Sequence, residues 1–113
     1  MFAAPKSHVL FSTDMMIEGV HFDLSYMPLM HLGYKLVVVN VSDMAAMNAS
    51  SSYFGVNIAL SNRMSLEGVD ALYKGIEKAC TFYGLALIGG DTSASPKGLI
   101  LSGTIIGLSL IHI

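Results

Sequence analysis

The chain has 113 residues, a formal net charge of −2 and a hydrophobic content of 53%, but only 12% of its residues are charged. The length fits a single domain, and the six basic residues are scattered, so nucleic-acid binding gets no support. The most apolar stretch, Leu99–Ile111, is broken by glycines and hydroxyl residues and is shorter than the about 20 residues of a membrane-spanning helix. We therefore predict no membrane segment, and the low charge predicts a surface partly covered by another domain or another copy of the chain.

The cysteine content and the N-terminus indicate a reducing compartment. Cys80 is the single cysteine, which excludes an internal disulfide and is typical of a core thiol. The first residues, 1–6, lack the long apolar segment of a secretory signal. We therefore expect a cytoplasmic protein.

The first half of the chain predicts a strand, a helix and a loop. The short apolar run Val9–Thr13 favours a strand. A helix is predicted to start near Pro28, although Leu36–Val39 is equally compatible with a buried strand; the length of the segment favours the helix. The polar cluster Ser50–Ser52, which follows Val41–Ala49, predicts a loop.

In the second half of the chain, the sequence predicts a strand, a helix and two further strands, in that order. Alternating apolar residues predict a strand over Phe54–Leu60, and Ser65 and Gly84 are typical of the first and last caps of an amphipathic helix. Two strands follow, Leu85–Ile88 and Leu99–Ile106, separated by a tight turn at Ser95–Gly98. The order β-α-β-α-β-β predicts an α+β fold, with helices packed on one face of a mixed β-sheet.

Three aspartates follow small or hydroxyl residues that come after an apolar segment: Asp14, Asp43 and Asp91. One such aspartate is typical of a cap or a turn, but three in the same pattern indicate shared chemistry. If the three elements end at one rim of the sheet, the carboxylates repel each other unless cations lie between them. Carboxylates together with substrate phosphates are the usual ligands of Mg²⁺, so the pattern predicts metal-dependent phosphoryl chemistry.

The remaining motifs are weak when they are taken alone. Gly89–Thr92 fits a plain turn and matches neither a P-loop nor a dinucleotide-binding fingerprint. His21, between two apolar residues, and Tyr73, on the predicted helix stripe, are typical of structural residues. The four histidines have no zinc-ligand spacing.

Four runs of residues together resemble the N-terminal domain of the thiamine-monophosphate kinases. They are Ser12–Asp14 with Glu18–Phe22, His31–Lys35, Asn40–Met47 and Gly89–Thr92, and the likeness extends over about Leu10–Gly107. The wider superfamily, which includes aminoimidazole ribonucleotide synthase, selenophosphate synthase and a hydrogenase maturation protein, uses ATP. The Glu-Gly-Val-His-Phe run is what points to the kinase rather than to these relatives.

The resemblance implies ATP-dependent phosphorylation of thiamine monophosphate to thiamine diphosphate, with several Mg²⁺ ions. It also implies a helix across the contested segment to about Ser42, and a homodimer in which the N-terminal sheets close into a barrel. It assigns no catalytic residue and no role to Glu18 or Asp23. On the matching positions it implies Mg²⁺ ligands at Ser12, Thr13, Asp14, Asp43 and Asp91, ATP contacts at Tyr73, Gly90 and Asp91, and a substrate contact at His21.

The sequence also departs from the family pattern. The family's Gly-Asp-Asp-Ala-Ala run and its C-terminal domain have no counterpart, and residues 1–8 and 108–113 look atypical or non-native. We therefore expect residues 1–113 to be one truncated N-terminal domain that binds ATP and Mg²⁺ and is inactive alone. The alternatives are a non-catalytic, dimerising nucleotide-binding module and a superfamily relative with another substrate.

Overall fold

The fold comes from a computed structural model that describes residues 8–22, 27–96 and 98–109. Six elements follow one another in the predicted order β-α-β-α-β-β, and the α+β class is confirmed. Asp23 and Lys97 lie outside the described residues. The elements are β1 (Val9–Ile17), α1 (Leu29–Ala46), β2 (Ala49–Leu60), α2 (Leu66–Tyr83), β3 (Ala86–Ala94) and β4 (Ile100–Ser109).

The four strands form one mixed sheet in the order β1-β4-β2-β3. β4 is antiparallel to both β1 and β2, whereas β2 and β3 are parallel. α1 packs on β1, β4 and β2, and α2 packs mainly on α1. Neither helix in the described part of the chain is long and apolar enough to cross a bilayer. The mixed sheet with helices on one face is confirmed, but within this chain the sheet is open, so the barrel across a dimer stays a prediction.

Alternation along the strands gives the sheet two different faces. The helix face lies under α1 and α2 and carries the buried Phe54, Val56 and Ile58 of β2. The open face points away from the helices. It carries five exposed apolar side chains: Val9, Phe11, Met15, Tyr53 and Leu108.

The contested segment is a helix, as the length of the segment suggested. Leu36 and Val37 are fully buried, and Asn40 and Met44 continue the buried stripe at helical spacing. Burial against the sheet therefore outweighs the strand preference of the valines. The predicted loop at Ser50–Ser52 is wrong, because α1 continues to Ala46 and β2 begins at Ala49, after a connection of two residues.

All four strands are longer than predicted; β2 begins at Ala49 and β4 ends at Ser109. β1 continues to Ile17, because its pairing with β4 runs through the polar residues without a break. β3 continues to Ala94, and Gly90 fits against β2 because a Cβ there would overlap the carbonyl oxygen of Val56. Asp14, Asp43 and Asp91 therefore lie inside β1, α1 and β3. The premise that three elements end at a shared rim is wrong.

The bounds of α2 agree with its cap residues. The Ser65 hydroxyl accepts a hydrogen bond from the Gly68 N–H at 3.0 Å, and Gly84 ends the helix in the left-handed conformation, with φ of 70°. Cys80 on this helix is a buried core thiol, as expected. Burial, followed by the charge of Glu77, raises the pKa of Cys80 to about 11, so the thiol stays protonated.

Two glycines allow α1 and α2 to pack with their backbones in contact. A Cβ at Gly33 would overlap the carbonyl oxygen of Leu72, and a Cβ at Gly75 would overlap that of Met30. The two helix backbones therefore meet at these glycines, and α2 is joined to the sheet mainly through α1.

Gly75→Ala tests the helix contact. Because the backbone of α1 cannot yield as a side chain can, we expect the free energy of unfolding to fall by about 1–3 kcal/mol, measured by urea denaturation. Gly68→Ala in the same helix is the matched control, since its added Cβ meets side chains and no backbone: Leu29 Cδ1 and Met64 Sδ, each at 2.9 Å, and Ser65 Oγ at 3.3 Å. Equal stability of Gly75→Ala and the unsubstituted chain would contradict the close contact.

Candidate metal and nucleotide site

The central feature of the candidate site is a pair of carboxylates between β1 and α1. Asp14 lies on β1 at the helix face, and Asp43 lies on α1 near its C-terminal end. The Ser12 hydroxyl, two residues before Asp14 on the same face, donates a hydrogen bond to Asp43 Oδ2 at 3.4 Å. The fold thus brings together three of the predicted metal ligands from two elements.

The two carboxylates share a proton when no cation is present. The pKa of Asp14 is raised from 3.8 to about 6, first by the hydrogen bond to Asp43, then by burial and by the charge of Asp43. Two carboxylates this close repel each other when both are ionised, unless a positive charge lies beside them. A cation at this place would replace the proton.

Two buried side-chain oxygen atoms have no hydrogen-bond partner among the described residues: Oδ2 of Asp14, within the pair, and Oδ1 of Asn40. Asn40 lies one helical turn before Asp43 and is fully buried. Its Nδ2 donates to the Leu36 carbonyl at 2.9 Å and lies close to Gly103, the residue that pairs with Asp14 across β1 and β4. A buried oxygen without a partner is costly, so both atoms indicate that a further group binds here.

These donors suit a hard cation. Carboxylate, hydroxyl and amide oxygens are ligands for Mg²⁺, which commonly uses one or two protein carboxylates and completes its shell with water and phosphate oxygens. No three His, Cys, Asp or Glu side chains come together within residues 8–22, 27–96 and 98–109. The residues around Asp14 and Asp43 therefore fit an ion that is shared with a phosphate ligand.

Thr13 and Asp91 lie on the open face, away from the carboxylate pair. The Thr13 hydroxyl is 3.2 Å from that of Thr104. Asp91 stands opposite Asn57 in the parallel pairing of β2 and β3, and its Oδ1 accepts a hydrogen bond from the Thr92 N–H at 2.9 Å. The sheet itself therefore separates Thr13 and Asp91 from Asp14 and Asp43. Their roles as metal ligands stay predictions.

Asp91 borders a shallow cavity of about 280 Å³ on the open face. Asn57 and Ser102, both from this face, bring further polar groups to the cavity. The sequence analysis did not select these two residues. The alternation of apolar residues along Phe54–Leu60 places Asn57 on the exposed face of its strand. This alternation is the sequence feature that could have identified Asn57.

The other predicted contacts are spread over the fold. His21 is exposed in the turn after β1, and its Nδ1 accepts a hydrogen bond from the Ile17 N–H at 3.0 Å. Tyr73 is half-buried on α2 and packs against the hydrophobic core. Gly90 lies in β3 beside Val56. The described contacts of these three residues do not include the carboxylate pair, so their ligand roles stay predictions.

Comparison with protein families gives one match that covers most of the chain. The profile of the AIR synthase related protein family, N-terminal domain, matches residues 2–109. Thiamine-monophosphate kinase from Bacillus subtilis is 36% identical over 94 residues, which are 83% of this chain and 29% of that protein. The Rhodopirellula baltica kinase is 35% identical over 103 residues, which are 91% of this chain and 33% of that protein. The chain thus spans about a third of the length of these curated relatives.

Solved structures agree with this match. The thiamine monophosphate kinase of Aquifex aeolicus superposes with a TM-score of 0.87 at 31% identity, covering 99% of this chain and 38% of that one. A structure of AaThiL complexed with AMPPCP and TMP gives a TM-score of 0.88 at 29% identity, covering 99% and 36%. The hydrogenase maturation protein HypE in complex with ATP, at 19% identity and a TM-score of 0.74, shares the fold.

The shared proton predicts a pH dependence of stability. Because folding raises the pKa of Asp14 from 3.8 to about 6, the folded chain binds more protons than the unfolded chain between these values. Without divalent cations, the contribution of Asp14 to stability therefore decreases as the pH rises from about 4 to about 6. Urea unfolding across this range, in the presence of a chelator, measures the effect.

We expect Asp14→Asn to remove this pH-dependent loss of stability. Asp91→Asn is the control and keeps the loss, because the Asp14–Asp43 pair is intact. Saturating Mg²⁺ restores the stability of the unsubstituted chain above pH 6. If the unsubstituted chain and Asp14→Asn lose the same stability over this range, the two carboxylates do not share a proton.

Proposed function

Since this chain belongs to the family of AIR synthase related proteins, whose N-terminal domain matches residues 2–109, we propose that it is the ATP- and Mg²⁺-binding part of a thiamine-monophosphate kinase. The reaction transfers a phosphoryl group from ATP to thiamine monophosphate and forms thiamine diphosphate. Support comes from the kinase names of relatives at 35–36% identity and from the AaThiL complex with AMPPCP and TMP.

The observation that carries the proposal is the Asp14–Asp43 pair, in which the pKa of Asp14 is raised and Asp14 Oδ2 has no hydrogen-bond partner among the described residues. Phosphoryl transfer asks little covalent chemistry of the protein, so positioning and charge neutralisation supply most of the catalysis. Mg²⁺ bound here would neutralise charge on the phosphates. Asp14 and Asp43 hold the ion in this proposal, and the Ser12 hydroxyl orients Asp43.

We assign the remaining predicted residues to other parts of the ligands. Thr13 and Asp91 contact further Mg²⁺ ions from the open face, where Asp91 borders a polar cavity. Tyr73 and Gly90 contact ATP. His21 contacts the phosphate of thiamine monophosphate, which is largely ionised near neutral pH and needs no strong base.

We further propose that residues 1–113 act as one N-terminal domain of a cytoplasmic enzyme. Turnover then requires the two thirds of the relatives' length that the chain does not span. Leu108 and Ser109 pair within the sheet as part of β4, and the atypical or non-native character of residues 108–113 stays a prediction.

The first test restores the rest of the enzyme. The chain is fused to the remaining part of the Bacillus subtilis relative, and thiamine diphosphate formation is measured with ATP, thiamine monophosphate and Mg²⁺. Asp14→Asn and Asp43→Asn are each expected to lower kcat by on the order of 10²–10³, because a preorganised charge is lost from the phosphate site. Asp70→Asn, an exposed aspartate of α2, is the control and leaves kcat unchanged.

If the unsubstituted fusion forms no thiamine diphosphate, the kinase proposal is contradicted. Calorimetry of the 113-residue chain with AMPPCP and Mg²⁺ then separates the remaining functions. Binding without turnover would favour a non-catalytic nucleotide-binding module or a superfamily relative with another substrate.

We also propose that the open face forms the interface of a homodimer. Phe11 is 71% exposed, Met15 54% and Tyr53 48%, and all three lie on this one face. An apolar sheet face of this kind is typical of a protein interface. The low charge content of the chain agrees with a partly covered surface.

Phe11→Glu tests the interface. A carboxylate on the open face would have to be desolvated in the dimer, so we expect the dimer dissociation constant to rise by about tenfold or more, measured by sedimentation equilibrium. Phe82→Glu is the matched control, because Phe82 is 73% exposed on α2, on the other side of the molecule. A monomeric unsubstituted chain, or equal weakening by both variants, would contradict this interface.

A further inference from the structure

A tight turn, Ile17–Phe22, follows β1 and carries His21; we call it the 17–22 turn. The Ile17 carbonyl accepts hydrogen bonds from the N–H groups of Val20, at 3.1 Å, and His21, at 2.9 Å. The Gly19 N–H donates to the Phe22 carbonyl at 2.8 Å, and Gly19 has a φ of 85°, which favours glycine. Phe22 is buried and anchors the far end. The turn therefore has a defined internal structure.

Glu18 attaches this turn to the start of β4. Its N–H donates to the Leu99 carbonyl at 3.0 Å, and its Oε1 accepts a hydrogen bond from the Leu99 N–H at 2.9 Å. Leu99 is fully buried, and a Cβ at Gly98 would lie only 3.1 Å from Oε1. The Glu18 side chain is thus used inside the fold, as an oxygen acceptor for a backbone N–H of a buried residue.

The turn fixes the tautomer of His21. A neutral imidazole has one N–H and one accepting nitrogen. Because Nδ1 accepts the Ile17 N–H at 3.0 Å, the proton of the neutral ring lies on Nε2. His21 is exposed, so this Nε2–H is available to an oxygen atom of a ligand.

We propose that Glu18 is a positioning residue that, through the 17–22 turn, holds His21 as an Nε2–H donor for a phosphate-monoester oxygen of the acceptor substrate. The part that concerns the phosphate rests on the proposed function. The part that concerns the turn rests on the hydrogen bonds of Glu18 and His21 alone. The two parts are therefore tested separately.

A second role for Glu18 would be a purely electrostatic one. Arg63, on the connection between β2 and α2, lines the same shallow cavity as Glu18. Two substitutions separate the roles. Glu18→Gln keeps an oxygen acceptor at the same reach and loses the charge, whereas Glu18→Asp keeps the charge but is too short to reach the Leu99 N–H.

The structural test uses the 113-residue chain labelled with ¹⁵N. The imidazole ¹⁵N shifts report the tautomer of His21, and amide hydrogen exchange reports the Leu99 N–H. We expect the Nε2–H tautomer in the unsubstituted chain and in Glu18→Gln, and a mixture of tautomers in Glu18→Asp, with Leu99 exchange faster by about tenfold or more. Retention of the single tautomer in Glu18→Asp, or its loss in Glu18→Gln, would overturn the positioning role.

The functional test uses the fusion with the remaining part of the Bacillus subtilis relative. Glu18→Asp is expected to raise KM for thiamine monophosphate by about tenfold with little change in KM for ATP, and Glu18→Gln to stay close to the unsubstituted enzyme. His21→Ala is expected to raise the same KM at least as much. Unchanged KM values in His21→Ala would overturn the phosphate contact, even where the tautomer follows Glu18. An inactive unsubstituted fusion would instead count against the proposed function, because the ¹⁵N result does not depend on turnover.

Discussion

The register of β1 on β4 is the constraint on which the rest of the structure depends. Nine consecutive residue pairs join the two strands, from Val9 opposite Leu108 to Ile17 opposite Ile100. This register places Ser12 and Asp14 under α1 and turns Phe11 outward. A slip by one residue would exchange the faces, moving the apolar residues under the helix and the carboxylate to the open face. The proposed metal site and the proposed interface thus both depend on the register of β1 on β4.

The carboxylate pair is an unfavourable arrangement in an isolated chain. The hydrogen bond to Asp43, then burial and then the charge of Asp43 raise the pKa of Asp14 to about 6, and the two carboxylates repel each other when both are ionised. The fold nevertheless keeps a fully buried asparagine beside them, with an oxygen that has no partner among the described residues. Gly103 leaves the room for this side chain, because a Cβ there would lie 2.8 Å from Asn40 Nδ2. The proposed cation would bind between these oxygens.

Local signals in the sequence predicted the order of the elements and the bounds of α2, because Ser65 and Gly84 act on their own helix ends. They could not predict the lengths of β1 and β3, where tertiary pairing carries the strand through Asp14 and through Gly90. The contact of Asp14 with Asp43 joins residues far apart in the chain, and which face each aspartate occupies depends on the sheet register. Sequence patterns therefore identified the aspartates but could not show that Asp91 lies on the opposite face from the other two.

Paramagnetic relaxation by Mn²⁺, used in place of Mg²⁺, tests the central claim most directly. The account predicts that substoichiometric Mn²⁺ broadens the NMR resonances of Asp14, Asp43 and Asn40 first, and that excess Mg²⁺ reverses this broadening. Sharp resonances at Asp14 and Asp43 at Mn²⁺ concentrations that broaden signals elsewhere in the chain would contradict it.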